Sequence, residues 1–367
     1  MKLGIIGLPN VGKSTLFNAL TNTKAETANY QFSTVTTNVG TVNVPDERLG
    51  FLAKLNKSEK IVPAFIEFLD IAGLVQGASK GEGLGNKFLA NIREVDAVVH
   101  VVRCFEDEKI IHTSLAIDPV RDVEIINMEL IYADMELVER RLERAKKAMK
   151  SDKSAEREAK LFEALLDALN EGRSARSLDY TPEELAIIET APLLSRKKTI
   201  YVANVGEDDI AEIENGGPGS VHYTRLSELA KAENAEIIPV CAKIEAEINE
   251  LPENERSEFL RDLGIKKSGL EKLIQASYRL LGLISYLTSG PKETRAWTIK
   301  KGAKAPEAAG KIHSDLEKGF IRAETVAFSD LFECGTMAAA KEKGFVRSEG
   351  KEYVVSDGDV ILFRFNV

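Results

Sequence analysis

Apolar residues in the first part of the chain form short runs that alternate with segments of helical spacing. The runs predict strands over residues 2–6, 39–44, 64–69 and 97–102. Helical spacing predicts helices over residues 13–20 and 86–93. The run at 97–102 is apolar without interruption, which is typical of a parallel strand buried on both faces. This alternation predicts an α/β domain with a mostly parallel sheet.

The pattern changes between about residues 120 and 170, where helical spacing is sustained and glycine and proline are scarce. Apolar positions before a polar break at 151–154 are Leu130, Met135, Leu137, Val138 and Leu142, and those after it are Leu161, Leu165, Leu166 and Leu169. We interpret this segment as two long helices folded back as an antiparallel coiled coil. Strand patterns return at 199–203 and 237–240, and a helical one follows at 269–281. The coiled coil is therefore expected to be an insertion into the α/β domain.

The last part of the chain mixes short strands with short helices. Strands are predicted at 294–299, 325–328 and 360–365, and helices at 306–316 and 337–343. We therefore expect three parts. They are an α/β domain of residues 1–127 and 199–283, an inserted coiled-coil domain of 128–198, and an α+β module of 284–367.

Composition indicates a protein of the cytoplasm, which we expect to be a monomer. The chain has 367 residues, of which 44% are hydrophobic and 29% charged, with a net charge of −9. It contains no run of 18 apolar residues, so no membrane partner is expected. Its cysteines, Cys104, Cys241 and Cys334, have neither metal-site nor disulfide spacing, which fits a reducing compartment.

One segment reverses the acidic balance. Residues 140–160 contain nine basic residues against four acidic ones, and they lie at the predicted tip of the coiled coil. Such a patch is a candidate contact for an anionic partner. The alternative is a solvated helix face on which the charges pair with one another.

The strongest motif is the sequence of residues 7–14, which matches G-x-x-x-x-G-K-[ST] between a predicted strand and a predicted helix. Glycines allow close backbone approach, and successive N–H groups form a nest for phosphate oxygens at a helix N-terminus. Lys13 is expected to bridge the β- and γ-phosphates, and Ser14 to offer its hydroxyl to Mg²⁺. The nucleotide-binding residues predicted here are Asn10, Val11, Gly12, Lys13, Ser14 and Thr15.

A second motif, D-x-x-G from Asp70 to Gly73, directly follows the strand predicted at 64–69. At the end of a strand, the Asp70 carboxylate is expected to bind the metal through a water molecule. The N–H of Gly73 would lie within reach of the γ-phosphate. Between the two motifs, a threonine is expected to ligate Mg²⁺ when the γ-phosphate is present. Thr34 is our choice, with Thr36 and Thr37 as alternatives.

The residue after Gly73 is Leu74, where Ras-type GTPases place the glutamine that orients the attacking water. Leu74 has no hydrogen-bonding atom, so intrinsic hydrolysis is expected to be slow. Gln76 is one substitute, and help from a partner or a monovalent cation is another. His112 is a further candidate, although a surface histidine without a catalytic role is the simpler explanation.

The base-reading motif favours ATP over GTP. GTPases carry N-K-x-D here, but this chain has Asn204-Val205-Gly206-Glu207. Glu207 is one methylene too long for the same bidentate contact with guanine, and a site that lacks that contact discriminates poorly for guanine. Adenine could instead be held by Asn204 and the backbone at Val205, beside the backbone of Cys241 and Ala242.

Six segments together resemble the YchF or Obg-like ATPase family of P-loop proteins. They are GLPNVGKST, FSTVTTNVG, DIAGLVQGASKGEGLGNKFL, IREVDAVVHVVRCFED, NVGE and AAGKIHSDLEKGFIRAE. The resemblance covers nearly the whole chain and implies a G domain with an inserted coiled coil, followed by a TGS domain of β-grasp shape. It also implies ATP preference, Mg²⁺ dependence, ribosome association and a hydrophobic residue in place of the catalytic glutamine, here Leu74. Thr36 and Thr37 depart from the family, which commonly has an acidic residue and proline there.

Three functions compete at this point. The first is a slow ATPase switch whose coiled coil and TGS domain report the nucleotide state to a ribosome or RNA. The second is an ATP-dependent binding module in which hydrolysis is incidental, because Leu74 cannot orient water. The third is a GTPase of the Obg type.

Overall fold

The structure is a computed structural model that describes residues 1–22, 38–72, 84–110, 116–149 and 154–366. By backbone contacts the chain forms two compact units. Unit 1 comprises Met1–Thr41 and Glu67–Leu273, and unit 2 comprises Val42–Ile66 and Ile274–Val367. The three parts expected from the sequence have boundaries at residues 128, 199 and 284. The two units are defined by backbone contacts and do not test these boundaries, which stay a prediction.

The strands are short and spread over the whole chain. They are β1 (Lys2–Ile6), β2 (Asn38–Asn43), β3 (Lys60–Val62), β4 (Phe65–Asp70), β5 (Ala97–Arg103), β6 (Lys198–Asn204), β7 (Glu236–Val240), β8 (Leu283–Ser289), β9 (Glu293–Lys300), β10 (Phe320–Ala327), β11 (Arg347–Glu349) and β12 (Asp359–Phe365).

The helices range from five to thirty residues in length. They are α1 (Lys13–Asn22), α2 (Glu47–Asn56), α3 (Leu84–Glu94), α4 (Pro119–Ala148), α5 (Ser154–Asn170), α6 (Pro182–Ile188), α7 (Glu207–Glu214), α8 (Val221–Ala232), α9 (Ala242–Glu250), α10 (Glu253–Asp262), α11 (Gly269–Leu280), α12 (Ala305–Ile312), α13 (Ser314–Lys318), α14 (Phe328–Cys334) and α15 (Met337–Glu342).

The first sheet has the strand order β2-β4-β1-β5-β6-β7. Its strands β4, β1, β5, β6 and β7 pair in parallel. Every residue of β5 is buried, as its uninterrupted apolar sequence predicts for a central strand. Parallel pairing brings the carboxyl ends of these strands to one edge, where ligands bind in open α/β sheets.

A helical hairpin interrupts the order of strands in unit 1. The long helix α4 begins with Asp118 as N-cap and Pro119 in its first turn, an arrangement that suits a helix N-terminus. It packs antiparallel on α5 around buried residues such as Val138, Phe162 and Leu165. At the base of the hairpin, the buried carboxylate of Asp134 accepts hydrogen bonds from both the backbone N–H (2.7 Å) and the hydroxyl (2.6 Å) of Ser195. The predicted α/β fold with a helical insertion is confirmed.

Unit 2 contains the second sheet, with strand order β11-β10-β12-β8-β9-β3. The helix α12 packs on it through small residues, Ala305, Ala308 and Ala309, against a core that includes Tyr286 and Phe363. Residues 42–66 belong to this unit: β3 pairs in parallel with β9, and α2 packs against β8 and β9. The C-terminal sequence therefore folds as the predicted α+β module together with a segment from the first fifth of the chain.

Some sequence predictions were wrong in detail. The helix expected over 306–316 is divided at His313, whose backbone is extended and whose side chain accepts a hydrogen bond from Asp315 N–H. The strand expected over 325–328 begins at Phe320 and ends at Ala327, and Phe328 starts a helix instead.

Candidate nucleotide-binding site

The loop of residues 7–14 connects β1 to α1 and has the backbone that its glycines predict. Gly12 has a φ of +91°, and Asn10, which is not glycine, has a φ of +64°. A Cβ at Gly7 would lie 2.6 Å from the carbonyl oxygen of Val101 on β5, so only glycine fits there without a backbone shift. The helix α1 starts directly after the loop, with Leu16 N–H bonded to the Gly12 carbonyl at 2.9 Å. The loop therefore presents backbone N–H groups at a helix N-terminus, the arrangement that binds phosphate.

The two charged residues predicted from the motifs meet at this loop. Lys13 Nζ forms an ion pair with Asp70 Oδ1, and both side chains are largely shielded, at 11% and 16% exposure. The pairing of β1 with β4 produces this contact, because Ile5 lies opposite Asp70 in the parallel register. The first residue of α1 and the last residue of β4 therefore meet at this loop.

Asn204 joins the phosphate side of the site to the base side. Its amide Nδ2 donates to the Val11 carbonyl at 2.9 Å, and its Oδ1 accepts from Ala242 N–H at 3.1 Å. The side chain is buried and lies so close to Gly12 that a Cβ there would be 2.2 Å from Nδ2. Asn204 therefore holds two loops together. The sequence predicted only a contact between Asn204 and the base, and not this role.

A cavity of about 1050 Å³ lies beside the loop. Seven of the predicted nucleotide-binding residues line it: Asn10, Gly12, Thr15, Asn204, Val205, Cys241 and Ala242. Val205 N–H bonds to the Val240 carbonyl at 2.9 Å. The backbone contact expected between Val205 and adenine would therefore use the Val205 carbonyl, and it stays a prediction.

The rim of the cavity carries an ion pair that the sequence did not predict. Lys243 Nζ lies 2.5 Å from Oε1 of Glu207, the residue at the position of the guanine-reading aspartate. The pairing raises the pKa of Lys243, since the carboxylate stabilises its charged form. Glu207 therefore has a partner within the protein, which competes with any role in reading a base.

The remaining wall of the cavity is built by a buried arginine at the end of β5. Arg103 is 1% exposed and donates to the carbonyl oxygens of Phe105 (3.1 Å), Asp107 (3.1 Å) and Ile110 (3.0 Å). Its guanidinium carbon also lies 4.6 Å from the centroid of the Phe105 ring. Phe105, Asp107 and Ile110 all line the cavity. Sequence reasoning missed this residue, because an arginine at the end of an apolar strand carries no motif.

Of the other predicted residues, some are described by the structure and some lie outside the described residues. Val11 is buried and contributes its carbonyl to Asn204, whereas Ser14 is exposed in the first turn of α1. Gly73, Leu74, Thr34 and His112 lie outside the described residues, as do Thr36, Thr37 and Gln76.

The donor set near Lys13 fits a magnesium ion. Mg²⁺ prefers hard oxygen ligands, keeps several waters, and is held in nucleotide sites by one or two protein oxygens together with phosphates. The Ser14 hydroxyl and the Asp70 carboxylate are oxygens of this kind at the phosphate-binding loop. Among the described residues, no group of three or more His, Cys, Asp or Glu side chains could hold a metal by itself. A cation here would therefore depend on a bound phosphate.

Comparisons with known proteins agree with this geometry. Residues 2–205 match a family model, MMR_HSR1, described as a 50S ribosome-binding GTPase. The chain is 57% identical to the ribosome-binding ATPase YchF of Bacillus subtilis over 365 residues, which is 99% of each chain. The chain belongs to the YchF family. The YchF protein of Escherichia coli O157:H7, also named a ribosome-binding ATPase, is 50% identical over 100% of this chain and 99% of its own.

Two further comparisons extend the YchF match to the C-terminal part and to the fold. Residues 283–366 match a family model, YchF-GTPase_C, described as a protein of unknown function. A solved structure of the Schizosaccharomyces pombe YchF GTPase matches with a TM-score of 0.88 and 38% identity, over 99% of this chain and 97% of that one. No helix of the described residues is long and apolar enough to cross a membrane.

Proposed function

We propose that this chain binds ATP with Mg²⁺ at the loop of residues 7–14, hydrolyses it slowly, and binds the ribosome in a manner set by the bound nucleotide. The observation that carries the proposal is the phosphate-binding loop, its Lys13–Asp70 ion pair and the adjoining cavity at one edge of a parallel sheet. Relatives at 57% and 50% identity over their whole length are named ribosome-binding ATPases, and on that basis we assign the chain to the cytoplasm.

The phosphate side follows from the charges at the loop. Lys13 must exchange the Asp70 carboxylate for phosphate oxygens when a triphosphate binds, and the exchange frees Asp70 to face the metal through a water. Ser14 would offer its hydroxyl as a ligand to the metal, and Thr34 is proposed to offer a second hydroxyl. Bound Mg²⁺ would neutralise charge on the phosphates. The backbone N–H groups of the loop and the N-terminus of α1 hold the same phosphates from the other side.

Slow hydrolysis follows from the residue at the water-orienting position. Leu74 occupies it and has no polar atom to position a water. Gly73 N–H would contact the γ-phosphate, and His112 is retained as a candidate for orienting water. A partner that supplies this group would accelerate the reaction, and the ribosome is the partner named for the relatives.

Preference for ATP rests on the base side of the cavity. Guanine recognition of the N-K-x-D type needs an aspartate that accepts two hydrogen bonds, whereas Glu207 is one methylene longer and pairs with Lys243 on the exposed rim. The names of the similar proteins differ on this point: the relatives are named ATPases, whereas the matching family model and the S. pombe structure are described as GTPases. We favour ATP because this chain has Glu207 in place of the guanine-reading aspartate and Val205 in place of the lysine that packs on the base.

Competition between the two nucleotides tests the preference. The purified chain would be loaded with a fluorescent ATP analogue in Mg²⁺ buffer and titrated separately with ATP and GTP. We expect ATP to displace the analogue at concentrations at least about tenfold lower, a difference of about 1.4 kcal/mol. Equal displacement, or stronger displacement by GTP, would show that the base assignment is wrong while leaving the phosphate site intact.

Contact with the ribosome is assigned to an exposed row of cations on α4. Arg140, Arg144 and Lys147 follow one another at helical spacing on one exposed face, and no salt bridge involves them within the described part of the chain. Other basic residues of the predicted patch pair with acids, for example Lys146 with Glu163 at 2.8 Å. Lys150 and Lys153 of the predicted patch lie outside the described residues. We call Arg140, Arg144 and Lys147 the α4 basic row.

Single-turnover hydrolysis separates a switch from a passive binding module. The chain would be loaded with labelled ATP, and phosphate release would be followed with and without 70S ribosomes or isolated 50S subunits. We expect faster release with ribosomes and a difference in ribosome affinity between the ATP and ADP states. If ribosomes changed neither quantity, hydrolysis would be incidental and the binding-module alternative would stand.

A further inference from the structure

The loop after β5 forms one wall of the nucleotide cavity and has no secondary structure of its own over residues 104–107. Its shape therefore depends on side chains that hold its carbonyl groups. Arg103 bonds to three of them, those of Phe105, Asp107 and Ile110, and all three of these residues line the cavity. The buried side chain of Arg103 thus bonds to the backbone of all three of these lining residues.

The burial of Arg103 costs free energy that its hydrogen bonds must offset. A guanidinium removed from water loses its hydration, and only good hydrogen-bond geometry offsets that loss. Arg103 is 1% exposed, and its Nε, Nη1 and Nη2 each donate to a different carbonyl between 3.0 and 3.1 Å. The planar fork of arginine suits this arrangement, whereas the compact ammonium of lysine cannot reach three diverging acceptors.

The same side chain holds the one aromatic residue of the wall. The guanidinium carbon of Arg103 lies 4.6 Å from the centroid of the Phe105 ring, within the range of a cation–π contact. Aromatic rings that face a nucleotide cavity stack on bases, and such stacking tolerates any base. In the register of the sheet, Arg103 also lies opposite Asn204, which joins the phosphate loop to the base side.

We propose that Arg103 is a positioning residue for the nucleotide base: it holds the Phe105–Ile110 wall in the shape that binds the base, without touching the nucleotide. The proposal rests on the proposed nucleotide-binding function. It predicts that Arg103 affects the base part of the affinity and not the phosphate part. A residue with only a general structural role would affect both.

Titration calorimetry with two probes separates these possibilities. ATP carries base and phosphates, whereas inorganic tripolyphosphate with Mg²⁺ carries phosphates alone. For Arg103→Lys we expect ATP binding to weaken at least about tenfold, with tripolyphosphate binding unchanged within about twofold. Arg173→Lys is the control, because Arg173 is exposed and pairs only with nearby Glu171 among the described residues. It should match the wild type for both probes.

Arg103→Met tests the same point without the charge, and Arg103→Lys decides alone if the methionine variant does not fold. Phe105→Leu then tests whether Arg103 acts on the base through the Phe105 ring. If Arg103 acts through this ring, the double variant should bind ATP about as weakly as the weaker single variant, and not at the product of the two losses.

Three results would overturn the proposal. They are wild-type ATP affinity in Arg103→Lys, parallel loss of ATP and tripolyphosphate binding, and fully multiplicative losses in the double variant. Failure of the wild-type chain itself to bind ATP would instead refute the proposed function, so the two failures are distinguishable. In hydrolysis assays we expect KM to rise and kcat at saturation to be retained.

Discussion

The side-chain amide of Asn204 donates to the carbonyl oxygen of Val11 at 2.9 Å, across 193 residues of sequence. This bond fixes the phosphate-binding loop to the end of β6. Since Oδ1 of the same amide accepts from Ala242 N–H at 3.1 Å, one side chain sets the distance between the phosphate and base sides of the cavity.

Asn204→Ala should weaken ATP binding at least about tenfold and lower the free energy of unfolding by about 2 kcal/mol, because two buried backbone groups lose their partners. Asn204→Asp should be no better, since a carboxylate would face the Val11 carbonyl without a hydrogen to donate. Calorimetric ATP binding and urea unfolding measure the two effects. Asn215→Ala is the control: its amide bonds to the Ala211 carbonyl at an exposed site, and its loss should change little. Wild-type affinity in Asn204→Ala would contradict the bridging role.

Gly12→Ala should abolish ATP binding while the protein remains folded. The residue has a φ of +91°, which L side chains rarely adopt, and the new Cβ would lie 2.2 Å from Asn204 Nδ2. Gly206→Ala provides a matched comparison in the same cavity, since its nearest neighbour would be Asp209 Oδ2 at 3.5 Å and its φ is −70°. Fluorescence titration should find near-normal affinity for Gly206→Ala. Equal affinities in the two variants would argue against the close packing of Asn204 on the loop.

Reversal of the α4 basic row should weaken ribosome binding. Arg140, Arg144 and Lys147 changed together to Glu would lose their phosphate contacts, and the slope of log affinity against log salt should become shallower by about two to three. Sedimentation with ribosomes at several salt concentrations gives this slope.

The control for that experiment changes the net charge by the same amount. Lys146, Arg157 and Lys160 are exposed on the same hairpin but form ion pairs with Glu163, Glu183 and Glu156, respectively. Reversal of these three should have a smaller effect. Equal loss in both triple variants would mean that overall charge, and not the α4 basic row, determines binding.

Glu245 predicts a pH dependence of stability. Burial raises the pKa of its carboxyl group from 4.5 to about 7, although hydrogen bonds such as that from Gly269 N–H (2.6 Å) oppose the shift. Between pH 4.5 and 7 the folded chain retains a proton that the unfolded chain has lost, so this group makes stability fall as pH rises through that window. The backbone N–H of Leu270, the Ser268 side chain and the charge of Lys272 also lower this pKa.

Glu245→Gln removes that titration. Urea unfolding at pH 5 and pH 8 should show the variant gaining stability relative to the wild type at the higher pH. Glu247→Gln, at an exposed position on the same helix, controls for the loss of one carboxylate. A constant difference between Glu245→Gln and the wild type at both pH values would show that Glu245 is ionised to the same extent in the folded and unfolded chains.

The parts of the molecule that sequence predicted depend on local patterns. The strand expected over 2–6 is Lys2–Ile6, and the one expected over 97–102 ends one residue later, at Arg103. The loop of residues 7–14 was recognisable because its chemistry requires fixed residue types at fixed spacing. The sequence placed Asp70 at a strand end, and it is the last residue of β4.

The parts that sequence did not predict depend on partners distant in the chain. Glu207 and Lys243 meet although 36 positions separate them, and neither has a pattern that announces the contact. The bonds of Arg103 go to backbone carbonyls, which every residue possesses, so its sequence surroundings hold no signal. His313 divides a helix because its extended backbone ends one helix and its side chain caps the next, which apolar spacing does not reveal.

The make-up of unit 2 has a practical consequence for truncated forms of the protein. Because α2 packs against β8 and β9, a protein shortened after residue 273 would keep this helix but lose the surface that covers it. Leu49 and Leu52, at 3% and 0% exposure, would then face water, at a cost of about 1.5–3 kcal/mol for each side chain. Expression of the amino-terminal part alone should therefore yield an aggregation-prone fragment unless residues 42–66 are redesigned or the C-terminal segment is supplied in trans.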